Sequence, residues 1–458
     1  MAKGLMKPTD MTQGSPWKCI IQFTLPMLIG NIAQQLYNTV DAMVVGNYMG
    51  DEGVRALAAV GSAGPILNML LVLFMGISAG AGIMVSQYIG AKDRERVSYT
   101  VGNSITVTVI CYIVLVVAMA PFLRFILEAL NTKETLIDWC WEYLMISLVG
   151  IVGMAFYNIL SGIIRGMGDS VSVLVYLVVA TVINIILDLV FVIVFKMGVA
   201  GVALATVIAQ ITSATLCFIR LSKMKEFFDF KFKYMKPVGS YIKLLIKLGL
   251  PSGLTQAIMS SAMIIVQRLT NCFEESFVAA NVVIMRVDGF AMMPNFSFGM
   301  ALTTYAGQNV GAGLYDRVTK GARQGTLIAV GCSTVLTGLI LIFGKPLMGM
   351  FNKSVVEESY SLMLILAAGY IAMAVTQSLS GIMRGAGDTV TPMWISLITT
   401  VAFRVPLAYG ISYLTRTPEL PFGNKECIQI SLLCSWVMGA IITSIFYARG
   451  KWKTKAIK

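Results

Sequence analysis

Few residues in this chain can do chemistry, and they sit in unusual places. Asn184 and Asp188 fall inside an apolar run from about Val171 to Phe195, in the segment T-V-I-N-I-I-L-D. Four apart, they share one helix face, one turn from each other. A carboxylate at the centre of a bilayer helix costs roughly 2.5–3.5 kcal/mol on insertion scales, so it marks a functional site by default. A second acid, Asp41, ends a polar stripe in N-I-A-Q-Q-L-Y-N-T-V-D, where Asn31, Gln34, Asn38 and Asp41 recur at helical spacing beside Tyr37. In lipid such a stripe must face a protein interior or a wet cavity. Carboxylate and amide oxygens are hard ligands suited to Na⁺. Without Na⁺ the same acids would share a proton, because two like charges in a low dielectric do not both stay ionised. Either ion fits. The plainer alternative, polar contacts that only hold helices together, does not account for the cost of the carboxylates.

The elements that must position these residues are membrane helices. Of 458 residues 57% are hydrophobic and 13% charged, about half the charge of an ordinary soluble protein. Apolar runs predict twelve spans, at 19–44, 54–82, 97–120, 136–162, 171–195, 199–221, 242–271, 278–306, 320–343, 358–383, 390–414 and 427–448. The net charge of +12 does not point to nucleic acid, because the basic residues cluster after even-numbered spans and at the ends. Lys92, Arg94 and Arg96 follow span 2, Lys223, Lys225, Lys231, Lys233 and Lys236 follow span 6, and Arg317, Lys320 and Arg323 follow span 8. The opposite side carries Asp51, Glu52, Glu128, Glu134, Glu274 and Glu275. The positive-inside rule then puts both termini in the cytoplasm of a multi-pass plasma-membrane protein. There is no His, which removes the commonest metal ligand and general base. The eight Cys show no ligand spacing, and Cys111, Cys217 and Cys434 fall in apolar spans as small apolar residues. No cofactor is expected. The first apolar run, with Pro26 and Asp41, reads as a retained span rather than a leader.

The chain repeats itself. Q-Y-I-G-A-K-D-R-E-R-V at Gln87–Val97 returns as Q-N-V-G-A-G-L-Y-D-R-V at Gln308–Val318, and L-S-G-I-I-R-G-M-G-D-S at Leu160–Ser170 returns as L-S-G-I-M-R-G-A-G-D-T at Leu379–Thr389. Leu25–Pro26 returns as Leu250–Pro251. The offset is about half the chain. Six spans per repeat give both halves one orientation, which implies an all-α protein of two six-helix lobes about a pseudo-two-fold axis along the membrane normal. The expected parts are an N-lobe at 1–221, a basic inter-lobe linker at 222–240, a C-lobe at 241–448 and a basic tail at 449–458. Such a duplication suits alternating access more than a channel or a membrane enzyme.

These paired loops, with the Leu-Pro and Asp41 of span 1, resemble the multidrug and toxic compound extrusion (MATE) family of transporters over nearly the whole chain. The resemblance implies efflux of organic, often cationic, compounds driven by inward Na⁺ or H⁺. Asp41, Asn184, Asp188 and Thr206 are similar to the pattern of the DinF-like branch, in which an acid, an Asn–Asp pair and a hydroxyl form a cation site inside the N-lobe. These four would be metal ligands if the ion is Na⁺. Gln34, Tyr37, Asn38 and Asn158 are the candidates for the cavity wall. The chain departs from relatives that carry acids in spans 7 and 10, where it offers Gln256 and no acid. In the C-lobe it carries instead Arg286, Asp288 and Arg404, the last near the counterpart of Asn184–Asp188, with Asp288 and Arg404 candidates for a pair across helices. The expected protein is a monomeric, cation-coupled antiporter of small organic molecules in a lipid bilayer, not an enzyme and not a nucleic-acid binder. The main alternative is a lipid-linked precursor flippase of related fold, which would need a large cationic cavity.

Overall fold

The computed structural model describes residues 8–48, 53–129, 132 and 134–457, except for the side chains of 37–48, 53–58, 62, 65, 129 and 135. Among the described residues, twelve helices are long and apolar enough to cross a membrane, one for each predicted span. They are α1 (Pro16–Tyr48), α2 (Gly53–Gly90), α3 (Arg94–Met119), α4 (Glu134–Gly166), α5 (Ser170–Leu189), α6 (Gly198–Lys223), α7 (Gly239–Thr270), α8 (Glu275–Gly311), α9 (Tyr315–Gly349), α10 (Val356–Gly385), α11 and α12 (Cys427–Ala448). The eleventh is built in three pieces, Val390–Ser396, a π-helical stretch Leu397–Phe403, and Arg404–Leu414. A π-helical turn, Val190–Val194, also extends α5.

The helices divide between two compact units, one of Met1–Asp10 with Leu25–Gly253, the other of Met11–Thr24 with Leu254–Lys458. The division falls inside α1 and α7, beside Pro26 and Pro251, both internal to their helices. Proline lacks the N–H that would bond the preceding turn, so it marks the place where a helix most readily changes direction. Each of these helices therefore gives its two ends to different units. The basic linker lies wholly within the first unit.

In the first unit the core is formed by Leu70 and Phe74 of α2, Leu144, Leu148 and Ile151 of α4, and Leu123 and Leu127 of a short helix after α3. In the second it is formed by Phe277, Ile284 and Val287 of α8 against Leu362, Leu366 and Tyr370 of α10. Lipid tails are as apolar as these side chains, so close packing rather than water exclusion holds the helices together, and small residues let backbones approach. A Cβ on Gly166 would lie 2.7 Å from the Gly82 carbonyl, and one on Gly162 would lie 2.9 Å from that of Ser78. The second unit repeats the seam: a Cβ on Gly381 would strike the carbonyl of Gly299, and one on Gly385 that of Thr303.

The repeated loops fold alike. After α4, Gly168 N–H donates to Arg165 and Asp169 N–H to Ile164, and after α10, Gly387 N–H donates to Arg384 and Asp388 N–H to Met383. Gly168 and Gly387 hold φ of 94° and 97°, a region that costs other residues a Cβ clash. The Q-x-x-G-A turns match in the same way, Asp93 N–H reaching Tyr88 and Leu314 N–H reaching Asn309. Here Lys92 takes a φ of 56° where its counterpart is Gly313 at 74°.

The linker docks on one ridge of α3. Arg94, Ser98, Gly102 and Thr106 recur every four residues and so share a face. Arg94 donates to the Asp229 carboxylate at 2.7 Å, Ser98 Oγ accepts from the Asp229 N–H, and Thr106 donates to the Met235 carbonyl. The Asn103 amide donates to the Tyr234 carbonyl and accepts from the Val238 N–H. Arg94 holds the Asp229 carboxyl below its usual range.

Candidate functional site

Span 5 folds as its pattern dictates. Val173, Leu177, Ala180, Asn184 and Asp188 form the buried stripe of α5, at steps of three and four, while Val182 and Ile186 face outward. Asn184 and Asp188 are both fully buried, and each has a polar or electrostatic partner. Thr181, one turn before Asn184 on an adjoining face, donates to the Leu177 carbonyl of its own helix.

Neighbouring helices fix the level of this pair. Gly30 of α1 packs on Leu174 and Leu177 of α5, where a Cβ would sit 3.6 Å from each. Asp41 and Asp188 lie the same number of residues beyond Gly30 and Leu177 along their helices. Gly201 of α6 abuts Phe191, where a Cβ built on the glycine would lie 3.0 Å from the Phe191 Cβ. Counting equally forward along α6 to Thr206 and back along α5 reaches Ile186, between Asn184 and Asp188. Thr206 is half-buried and also has a partner. Asn184, Asp188 and Thr206 thus stand at one level of the first unit. The side chains of Tyr37, Asn38 and Asp41 lie outside the described residues.

The other expected wall residues are less concentrated. Gln34 is exposed. Asn158 is half-buried and its amide donates back to Met154 of its own helix, while its carbonyl accepts from Ser78 and Ser161.

The conserved-looking ends of the repeats are built for helix starts. Asp169 caps α5, accepting from the Ser172 N–H at 2.9 Å and its hydroxyl at 2.7 Å, and takes both Nε and an Nη of Arg220. Asp388 caps α11 through the N–H and hydroxyl of Thr391. The cation that meets Asp169 is Arg220, from the far end of α6, which only the packing of α6 against α5 reveals.

The second unit carries a buried charged cluster. Arg286 points outward, whereas Asp288, two residues on and on another face, accepts a hydrogen bond from the Tyr370 hydroxyl. Asp288 and Arg404, candidates for a pair across helices, form no ion pair within 4.0 Å; the hydrogen-bond partner of the carboxylate is the Tyr370 hydroxyl, on Oδ1. Tyr370 itself was not marked out by sequence, because a lone tyrosine in an apolar span carries no pattern.

The fold defines the class, an all-α protein whose described residues form twelve candidate membrane-spanning helices with a doubled set of helix-end motifs. The family model MatE matches residues 26–190 and again 251–410, and the chain belongs to that family. It is 30% identical over 92% of both chains to a probable multidrug resistance protein, YoeA, of Bacillus subtilis. It is 24% identical to a probable multidrug resistance protein, NorM, of Thermotoga maritima, over 96% of this chain and 94% of that one. A solved MOP superfamily transporter from Pyrococcus furiosus shares the fold, with a TM-score of 0.88 at 23% identity over 97% of this chain and 98% of that one.

Proposed function

We propose that the protein exports organic, cationic compounds across the plasma membrane as an antiporter coupled to inward H⁺ or Na⁺, with both termini in the cytoplasm. The observation that carries this reading is the fully buried Asn184–Asp188 pair on the packed face of an apolar membrane helix. Relatives described as multidrug resistance proteins support the cargo class, and the asymmetric loop charges support the orientation.

The coupling ion binds in the first unit at Asp41, Asn184, Asp188 and Thr206, the set whose pattern resembles the DinF-like branch. Carboxylate, amide and hydroxyl oxygens suit Na⁺ as a transported ion, and a proton is held by the same acids. Cation and cargo drive exchange only if they favour opposite facing states or compete for one cavity. Gln34, Tyr37, Asn38 and Asn158 are the wall residues for cargo, and the acidic and neutral character of this stripe favours cations over the pyrophosphate of a lipid-linked precursor.

The test is efflux of an organic cation from proteoliposomes under a Na⁺ gradient alone and then an H⁺ gradient alone. One gradient should drive wild-type transport, and Asp41→Asn and Asp188→Asn should each abolish the coupled component. Wild-type rates in both variants would show the assignment to be wrong.

A further inference from the structure

The cluster in the second unit has a charge arrangement that helix packing alone does not require. The Tyr370 carbonyl accepts from Asn295 at 3.1 Å and from Ser333 at 3.0 Å, which ties α10 to α8 and α9 at one point. Its ring is almost fully buried, and its hydroxyl is committed to Asp288. Asp288 is therefore held in place by a fixed donor rather than by the cation near it.

Arg404 is left over. It is the first residue after the π-helical stretch of α11, and π-helical turns inside helices are frequent at functional sites. Its side chain makes no ion pair within 4.0 Å of a described carboxylate, and its Nε is buried with no acceptor among the described residues. A guanidinium inside a membrane span is expensive unless it meets an anion, carbonyls or water, and a buried unsatisfied donor calls for an explanation. Arginine presents a planar fork of donors that matches a carboxylate in two parallel bonds. The corresponding helix of the first unit carries Asp188 just before its own π-helical turn. The two repeats thus carry opposite charges next to a π-helical segment, Asp188 before the one and Arg404 after the other.

We propose that Arg404 is the binding point for a carboxylate on the cargo, with Asp288 facing the cationic end of the same molecule. A zwitterionic amphiphile satisfies both residues, whereas a simple organic cation leaves Arg404 unmet. This assigns the second unit a share in cargo selection distinct from the ion site of the first. The inference rests on the efflux reading for its organic scaffold, and the two fail in different ways.

Rhodamine 110, which bears a free carboxylate, and rhodamine 123, its methyl ester, differ at that one group. Their dissociation constants for the full-length protein in detergent, read by fluorescence anisotropy, give an ester-to-acid ratio. Arg404→Gln should lower that ratio at least tenfold, and Arg404→Lys, which keeps the charge but loses the fork, should fall between. If Arg404→Gln does not yield monodisperse protein, the Arg404→Lys ratio is decisive, with a threefold or larger fall expected. A ratio within twofold of wild type in the folded variants overturns the carboxylate site while leaving efflux standing. Binding of neither dye by the wild-type protein overturns both readings.

Discussion

The Arg220 guanidinium meets the Asp169 carboxylate at 2.7 Å, with Asp169 only 1% exposed and Arg220 19%. One acid therefore closes the start of α5 and ties it to the end of α6, the two helices that carry Asn184, Asp188 and Thr206. Removing one partner of a buried pair leaves the other charge uncompensated, at about 3–5 kcal/mol. Arg220→Ala should lower the stability of the detergent-solubilised protein by that order. Asp388→Ala removes only a cap and should cost about 1 kcal/mol. Thermal midpoints of the two variants check the difference.

The glycine seams should be intolerant of the smallest side chain. Gly385→Ala sets a methyl group against the Thr303 carbonyl, and Gly166→Ala sets one against Gly82. Overpacking of this kind costs about 1–3 kcal/mol, and backbone cannot move aside as a flexible side chain does. Gly331 and Gly338 of α9 have nothing within 4 Å of a built Cβ. Gly331→Ala and Gly338→Ala should stabilise by up to about 1 kcal/mol each through helix propensity. Comparable losses at all four positions, measured by thermal unfolding, would contradict the seam.

The matched turns predict substitutions of opposite sign. Lys92 holds a left-handed backbone conformation that Gly313 occupies in the other repeat. Gly313→Lys should destabilise by about 1 kcal/mol, and Lys92→Gly should stabilise by about 0.5 kcal/mol, less because glycine gains freedom in the unfolded chain. Paired melting curves decide it.

The linker should come free when its ridge on α3 is filled or emptied. Gly102→Val strikes the Tyr234 carbonyl, and Asn103→Ala removes bonds to Tyr234 and Val238. Both should speed proteolysis at the lysines of 223–236 several-fold relative to wild type. Asp229 also sets a pH dependence. Its folded carboxyl is held below the usual value by Arg94, so its contribution is full above the ordinary carboxylate range and is lost as pH falls through the depressed value. Protection of the linker, read by an acid-active protease at several pH values, should weaken only on the acid side.

How much of this could be read in advance depended on how local the cause was. Twelve spans were legible because apolar runs of bilayer length leave little choice of structure. The buried face of α5 was legible because Asn184 and Asp188 obey the helical period. The equal turns after α4 and α10 were legible because R-G-x-G-D repeats with its glycines in place. The partner of Asp169 was not, since Arg220 lies a whole helix pair away and nothing in the spacing selects it over Arg165. Nor was the split of α1 and α7 between units, although each breaks beside a proline that sequence had marked.

The sequence by itself determined the membrane setting, the duplication and the acids that a bilayer tolerates only at a cost, because hydropathy, period and repeat offset are properties of the chain. Only the tertiary structure decided which charges meet. Tyr370 donates to Asp288, and the Arg404 Nε finds no hydrogen-bond acceptor among the described residues, because hydrogen bonds form between helices brought together by packing, and packing depends on the whole set of side chains at once.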